Sequence, residues 1–101
     1  MWVAVGQETN TIAYSYNGIN WTGLGTTIFT NTGVDVDFNN QRPNTLTFPR
    51  QLNVAVGNGS SPIGYSYDGL TWTGISTSTN IFSSFGGYIA YNGNMWIATG
   101  T

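Results

Sequence analysis

A chain of 101 residues has room for one domain, and its charge is sparse: two Arg against four acidic residues, for a net charge of −2. That balance excludes the basic surface that duplex nucleic acid requires. The absence of Cys excludes disulfides and thiolate chemistry, and the absence of His removes the commonest general base and metal ligand. Four Trp, six Tyr and five Phe, together with many Val and Ile, supply a core that disordered chains lack. No apolar run reaches the ~20 residues of a membrane-spanning helix. Met1 leads straight into a strand-like segment without a basic or cleavable leader, so a signal peptide is not expected. Nothing in the composition asks for a cofactor.

Taken in order, the segments alternate in polarity, are short, and are separated by Gly and Asn, the pattern of antiparallel strands joined by tight turns. Residues 2–6 form the first strand, residues 12–15 the next, and Ser15-Tyr16-Asn17-Gly18 turns the chain into a strand over 19–22. A linker with Ile28-Phe29 leads to residues 34–38, whose Asp35 and Asp37 lie two apart and so share one face. Residues 40–50 form a long loop with both Arg, Arg42 and Arg50, and two of the three prolines. Strands over 53–57 and 63–66 follow, then Ser66-Tyr67-Asp68-Gly69 and a strand over 70–73. A second linker with Ile81-Phe82 reaches a hairpin of residues 87–91 and 95–99, turned by Asn92-Gly93-Asn94. No stretch keeps helical spacing of apolar residues.

The chain repeats itself. Ser15-Tyr16-Asn17-Gly18-Ile19-Asn20-Trp21-Thr22-Gly23 returns 51 positions later as Ser66-Tyr67-Asp68-Gly69-Leu70-Thr71-Trp72-Thr73-Gly74. Trp2-Val3-Ala4-Val5-Gly6 returns as Asn53-Val54-Ala55-Val56-Gly57 and again as Trp96-Ile97-Ala98-Thr99-Gly100. Such a period, built of short strands, predicts all-β propeller blades of four antiparallel strands, about two blades per chain. Residues 1–33 then form a partial blade, 34–80 a complete blade carrying the inserted loop 40–50, and 81–101 a second partial blade. A blade cannot bury its faces alone, so the ring is expected to close by homo-oligomerisation, a trimer first and a tetramer or pentamer otherwise. The 87–99 hairpin of one chain is expected to join the 11–22 hairpin of the next. One of the segments 2–6 and 96–100 is then redundant.

The turn motif resembles the Asp-box, or BNR, repeat of β-propellers, in a form one residue shorter than usual and with Asn17 in place of Asp in the first copy. It is most similar to Asp-box-related repeats of marine viral and metagenomic sequences. The resemblance implies that Asn17, Gly18, Trp21, Asp68, Gly69 and Trp72 are structural. Asn or Asp accepts backbone N–H bonds in its own turn, Gly takes a conformation closed to side chains, and Trp packs between blades with its indole N–H partnered.

Asp-box propellers include sialidases, but their Arg cluster, Tyr nucleophile and acid/base carboxylates do not assemble from this chain, so an enzyme is not expected and a glycosidase ranks third. Asp35 and Asp37 are weak candidates for a Ca²⁺ site, being two ligands where at least six oxygens are wanted. A neutral surface rich in aromatics and amides points first to non-catalytic, lectin-like carbohydrate binding, with Tyr16, Tyr67, Arg42 and Arg50 as candidate ligand residues and Trp2 also exposed. A structural or adhesion propeller of viral or phage origin, extracellular or virion-associated, is the alternative. Expected partners are other copies of the chain and glycans; neither nucleic acid nor a membrane is expected.

Overall fold

The computed structural model describes residues 1–39 and 52–101. Residues 40–50, expected from the sequence to form a loop with Arg42 and Arg50, therefore lie outside the described residues. The described residues form nine strands: β1 (Trp2–Val5), β2 (Ile12–Ser15), β3 (Thr22–Gly23), β4 (Thr32–Phe38), β5 (Asn53–Asn58), β6 (Ile63–Ser66), β7 (Thr73–Gly74), β8 (Gly86–Tyr91) and β9 (Trp96–Gly100). The described residues are all-β, with every strand pairing antiparallel. The strands form an N-terminal sheet β1-β2-β3, a central sheet β4-β5-β6-β7 and a C-terminal sheet β8-β9.

The internal repeat reappears as repeated register. In the central sheet Asn53 pairs Ser66, Val54 pairs Tyr65, Ala55 pairs Gly64 and Val56 pairs Ile63. In the N-terminal sheet the residues 51 positions earlier pair in the same way: Trp2 with Ser15, Val3 with Tyr14, Ala4 with Ala13 and Val5 with Ile12. Strands β4 and β8 also match, each with a register shift one residue after a Gly, between Gly33 and Asp35 and between Gly86 and Tyr88.

Period-two alternation on β5 decides where the core sits. Ala55 turns to the N-terminal sheet and joins Ile12, Phe29, Val3, Val5, Leu24, Ile28, Val36 and Trp72. Val54 and Val56 turn the other way, onto Ile89, Trp96 and Ala98 of the C-terminal sheet, with Ile63 and Tyr65 beside them. Among the described residues the central sheet is thus apolar on both faces and covered on both, whereas each terminal sheet is covered on one. Large apolar side chains are exposed at both ends, among them Trp2, Ile19 and Trp21 at one and Ile81, Tyr88 and Ile97 at the other.

Three expectations shift. The strands placed over 19–22 and 70–73 begin later, at Thr22 and Thr73, because the turns before them consume those backbone N–H groups. The strand placed over 34–38 starts earlier, at Thr32, where Gly33 donates to the Gly6 carbonyl at 2.7 Å. Residues Ser76–Asn80 of the second linker form a 3₁₀ turn, held by Ser78, whose hydroxyl donates to the Ile75 carbonyl at 2.6 Å. The described residues include no α-helix.

Candidate functional site

The two Ser-Tyr-Asn/Asp-Gly turns are the most heavily bonded local structures among the described residues. In the central sheet the Ser66 hydroxyl accepts from the amides of Asp68 (3.2 Å) and Gly69 (2.7 Å) and donates to Asp68 Oδ1 (2.9 Å). Asp68 Oδ1 also accepts from the amides of Leu70 (2.9 Å) and Thr71 (2.8 Å). The Trp72 indole N–H then donates to the Gly69 carbonyl at 2.9 Å. The N-terminal turn repeats each bond: Ser15 to Asn17 and to the amides of Asn17 and Gly18, Asn17 Oδ1 to the amides of Ile19 and Asn20, and the Trp21 indole to the Gly18 carbonyl. Gly18 and Gly69 both sit at φ +78°, a left-handed conformation that costs an L side chain about 1–2 kcal/mol. The amides of Thr71 and Leu70, then the Ser66 hydroxyl, hold the Asp68 carboxyl below the ordinary carboxylate range.

Trp72 packs between sheets, against the buried cluster of Ile12, Phe29 and Ala55, and lines a pocket with Leu24 and Ile28. Trp21, expected to do the same, is 45% exposed, because no sheet of the described residues lies beyond the N-terminal one.

Asp35 and Asp37 are placed side by side on β4, but their oxygens are engaged. Asp35 Oδ1 accepts from the Val36 amide (2.9 Å) and Oδ2 from the Ile89 amide (3.1 Å). Asp37 Oδ1 accepts from Phe38 (2.8 Å) and Oδ2 from Tyr91 (2.9 Å). Each carboxylate therefore bridges β4 to β8 and satisfies N–H groups at the unpaired edge of both strands. Sequence reasoning missed this clamp; its signal was the absence of acidic residues at the matching positions Tyr88 and Ala90, so that one pair serves two strands. Among the described residues no group of three or more His, Cys, Asp or Glu could hold a metal ion.

Tyr16 and Tyr67 are exposed, and each stands edge-on to the Tyr two residues before it, Tyr14 at 5.6 Å and Tyr65 at 5.8 Å between ring centroids. Tyr14, Ser15, Tyr16, Asn17, Asn20 and Thr22 line a cleft of about 230 Å³ with no charged side chain on its wall. Trp2, also exposed, lines a separate crevice with Met1, Val3, Val36, Asp37, Phe38 and Asn53. Tyr16 and Tyr67 stand in different turns and line different pockets, Tyr67 with Met1, Val3, Asn53 and Asp68. No helix of the described residues is long and apolar enough to cross a membrane.

No protein-family model matches the chain, and no curated protein or solved structure is similar enough to count as a match.

Proposed function

We propose that the chain is a non-catalytic carbohydrate-binding module, and that its sheets are blades of a β-propeller closed by several copies. The observation that carries the binding proposal is the uncharged cleft at the N-terminal turn. Its wall combines an exposed Tyr16 ring, 69% accessible, with Asn17, Asn20 and Thr22. Sugars present an apolar face for stacking and a rim of hydroxyls for hydrogen bonds, and the cleft offers both in a volume suited to a single ring. An uncharged cleft wall matches a neutral ligand.

The acidic residues support a role without catalysis. Asp35 and Asp37 hold both oxygens, and Asp68 its Oδ1, on backbone amides, which favours structural roles for all three. Closure is supported by the two uncovered apolar faces, since large exposed apolar patches mark interaction sites. A ring of three chains would hold six blades, and four or five chains would give eight or ten. Each copy would add at least one cleft, so modest single-site affinity would be raised by multivalency.

A glycan array on the purified assembly tests the binding reading. Binding to a defined set of glycans, lost in Tyr16→Ala without loss of the fold, is the expected result. An intact assembly that binds no glycan overturns it and leaves a display frame as the better reading.

A further inference from the structure

The central sheet defines four strand positions, occupied by β4, β5, β6 and β7. By register and sequence, the N-terminal sheet fills positions two to four and the C-terminal sheet positions one and two. Among the described residues the chain thus has two strands for each position except the second, which has three: β1, β5 and β9. We infer that β1 is a placeholder on the edge of β2, and that β9 of a second copy displaces it on assembly, building the four-stranded sheet β8-β9 of one copy with β2-β3 of the next. The inference rests on the closed-ring reading and specifies how the closure is made.

Sequence and register make β1 and β9 interchangeable. Trp2-Val3-Ala4-Val5-Gly6 and Trp96-Ile97-Ala98-Thr99-Gly100 present Trp, a β-branched residue, Ala, a β-branched residue and Gly in the same order. On β2, Ala98 would replace Ala4 opposite Ala13, and Ile97 would replace Val3 opposite Tyr14. The faces also agree. Trp96 and Ala98 already pack on the central sheet of their own copy, which leaves Ile97 and Thr99 on the opposite face. After exchange that face would meet the central sheet of the second copy, where Val3 and Val5 now lie. Trp21 of the second copy would come beside Ile81, which is 67% exposed, as Trp72 and Ile28 line one pocket within a copy.

Of the two candidates, β1 is the strand built to leave. Its connection to β2 contains Glu8 at φ +87°, the one left-handed non-glycine residue among those described, so release relieves strain. Strand β9 is instead locked to β8 by a closed turn: Asn92 Oδ1 accepts from the amides of Asn94 and Met95 (2.9 and 2.8 Å), and the Tyr91 and Trp96 rings are in contact. The Asp35 and Asp37 clamps hold β8 in turn to the central sheet. Stacking without exchange would leave the free edges of β1 and β9 unpaired; exchange pairs the β9 edge and leaves only a displaced terminal segment.

The chain has no Cys, so introduced pairs report cleanly. Directly opposed residues in an antiparallel pair lie about 4.5–5.5 Å apart at Cα, within disulfide reach. The full chain carrying Ala13→Cys and Ala98→Cys is expected to oxidise into a covalent ladder ending at the mass of the ring. Ala4→Cys with Ala13→Cys should pin β1 to β2 and yield monomers until reductant is added. Rings that persist with the second disulfide formed, or an unlinked first pair within rings, overturn the exchange while leaving the ring reading standing; an unmodified chain that is monomeric overturns the ring itself. Hydrogen exchange on the unmodified ring tests the strand replacement without mutation. The amides of Trp2–Val5 should exchange fast and those of residues 97–100 slowly, and the reverse order contradicts the proposal.

Discussion

The two Ser-Tyr-Asn/Asp-Gly turns, 51 residues apart, have matching hydrogen bonds and different surroundings. Around Gly69 the central turn is packed: Met1 and Val3 of the N-terminal sheet lie against it, and Trp72 reaches the core. Around Gly18 the nearest atoms to a Cβ position belong to Trp2, at 3.6 Å or more, and Ile19 and Trp21 face solvent. The turn therefore closes through its own side chains, and burial of its Trp depends on whether a further sheet follows on that side. Local bonding and inter-sheet packing are separate contributions, and single substitutions can distinguish them.

The largest difference should come from the two Trp residues. Trp72→Ala is expected to destabilise the fold by about 3 kcal/mol, the low end for a large aromatic because Trp72 is only half-buried. Trp21→Ala should cost under about 1 kcal/mol in separated chains and approach the Trp72 value in the assembly. Denaturant titration below and above the assembly concentration checks both, and equal costs in separated chains would break the distinction. Next come the glycines. Gly18→Ala and Gly69→Ala should each cost about 1–2 kcal/mol, since both need φ +78°. Gly69→Ala should cost slightly more, because a Cβ there would stand 2.8 Å from Met1 Sδ. Asp68→Ala and Asn17→Ala should each cost about 1 kcal/mol, the value for local bonds on an exposed turn, and Asp68→Ala should leave the assembly able to bind.

The smallest effect sharpens the comparison through pH. Asp68 titrates and Asn17 does not. The folded-state pKa of Asp68 is lowered by the amides of Thr71 and Leu70 and by Ser66, so its contribution is complete above the ordinary carboxylate pKa. It is lost as the pH falls through the lowered folded value. Thermal melts from neutral to acid pH should therefore show a small loss that Asp68→Asn removes and Asn17→Asp doubles. A loss unchanged in Asp68→Asn would assign the acid sensitivity elsewhere.

Much of this arrangement was legible because the repeat spells out strand order and pairing. Val54-Ala55-Val56 is apolar at successive positions, as a strand covered on both faces must be. The turn roles of Asn17 and Asp68 followed from side chains that bond within three residues, a range that sequence reveals. The start of β3 and β7 was misplaced for the same reason, since Ile19-Asn20 and Leu70-Thr71 look like strand but give their amides to the turn. The bonds of Asp35 and Asp37 to Ile89 and Tyr91 span 54 residues and depend on how two sheets meet, which local pattern does not encode. The cleft beside Tyr16 was legible only as an exposed aromatic, because its wall is formed by the fold of the turn itself.

Native mass spectrometry of the full chain at micromolar concentration tests the central claim, that the uncovered terminal sheets are completed by other copies. The account predicts a closed species of three chains, six sheets in a ring, with four or five chains altering only the number. A stable monomer, with Trp21 and Ile97 left in solvent, would contradict it.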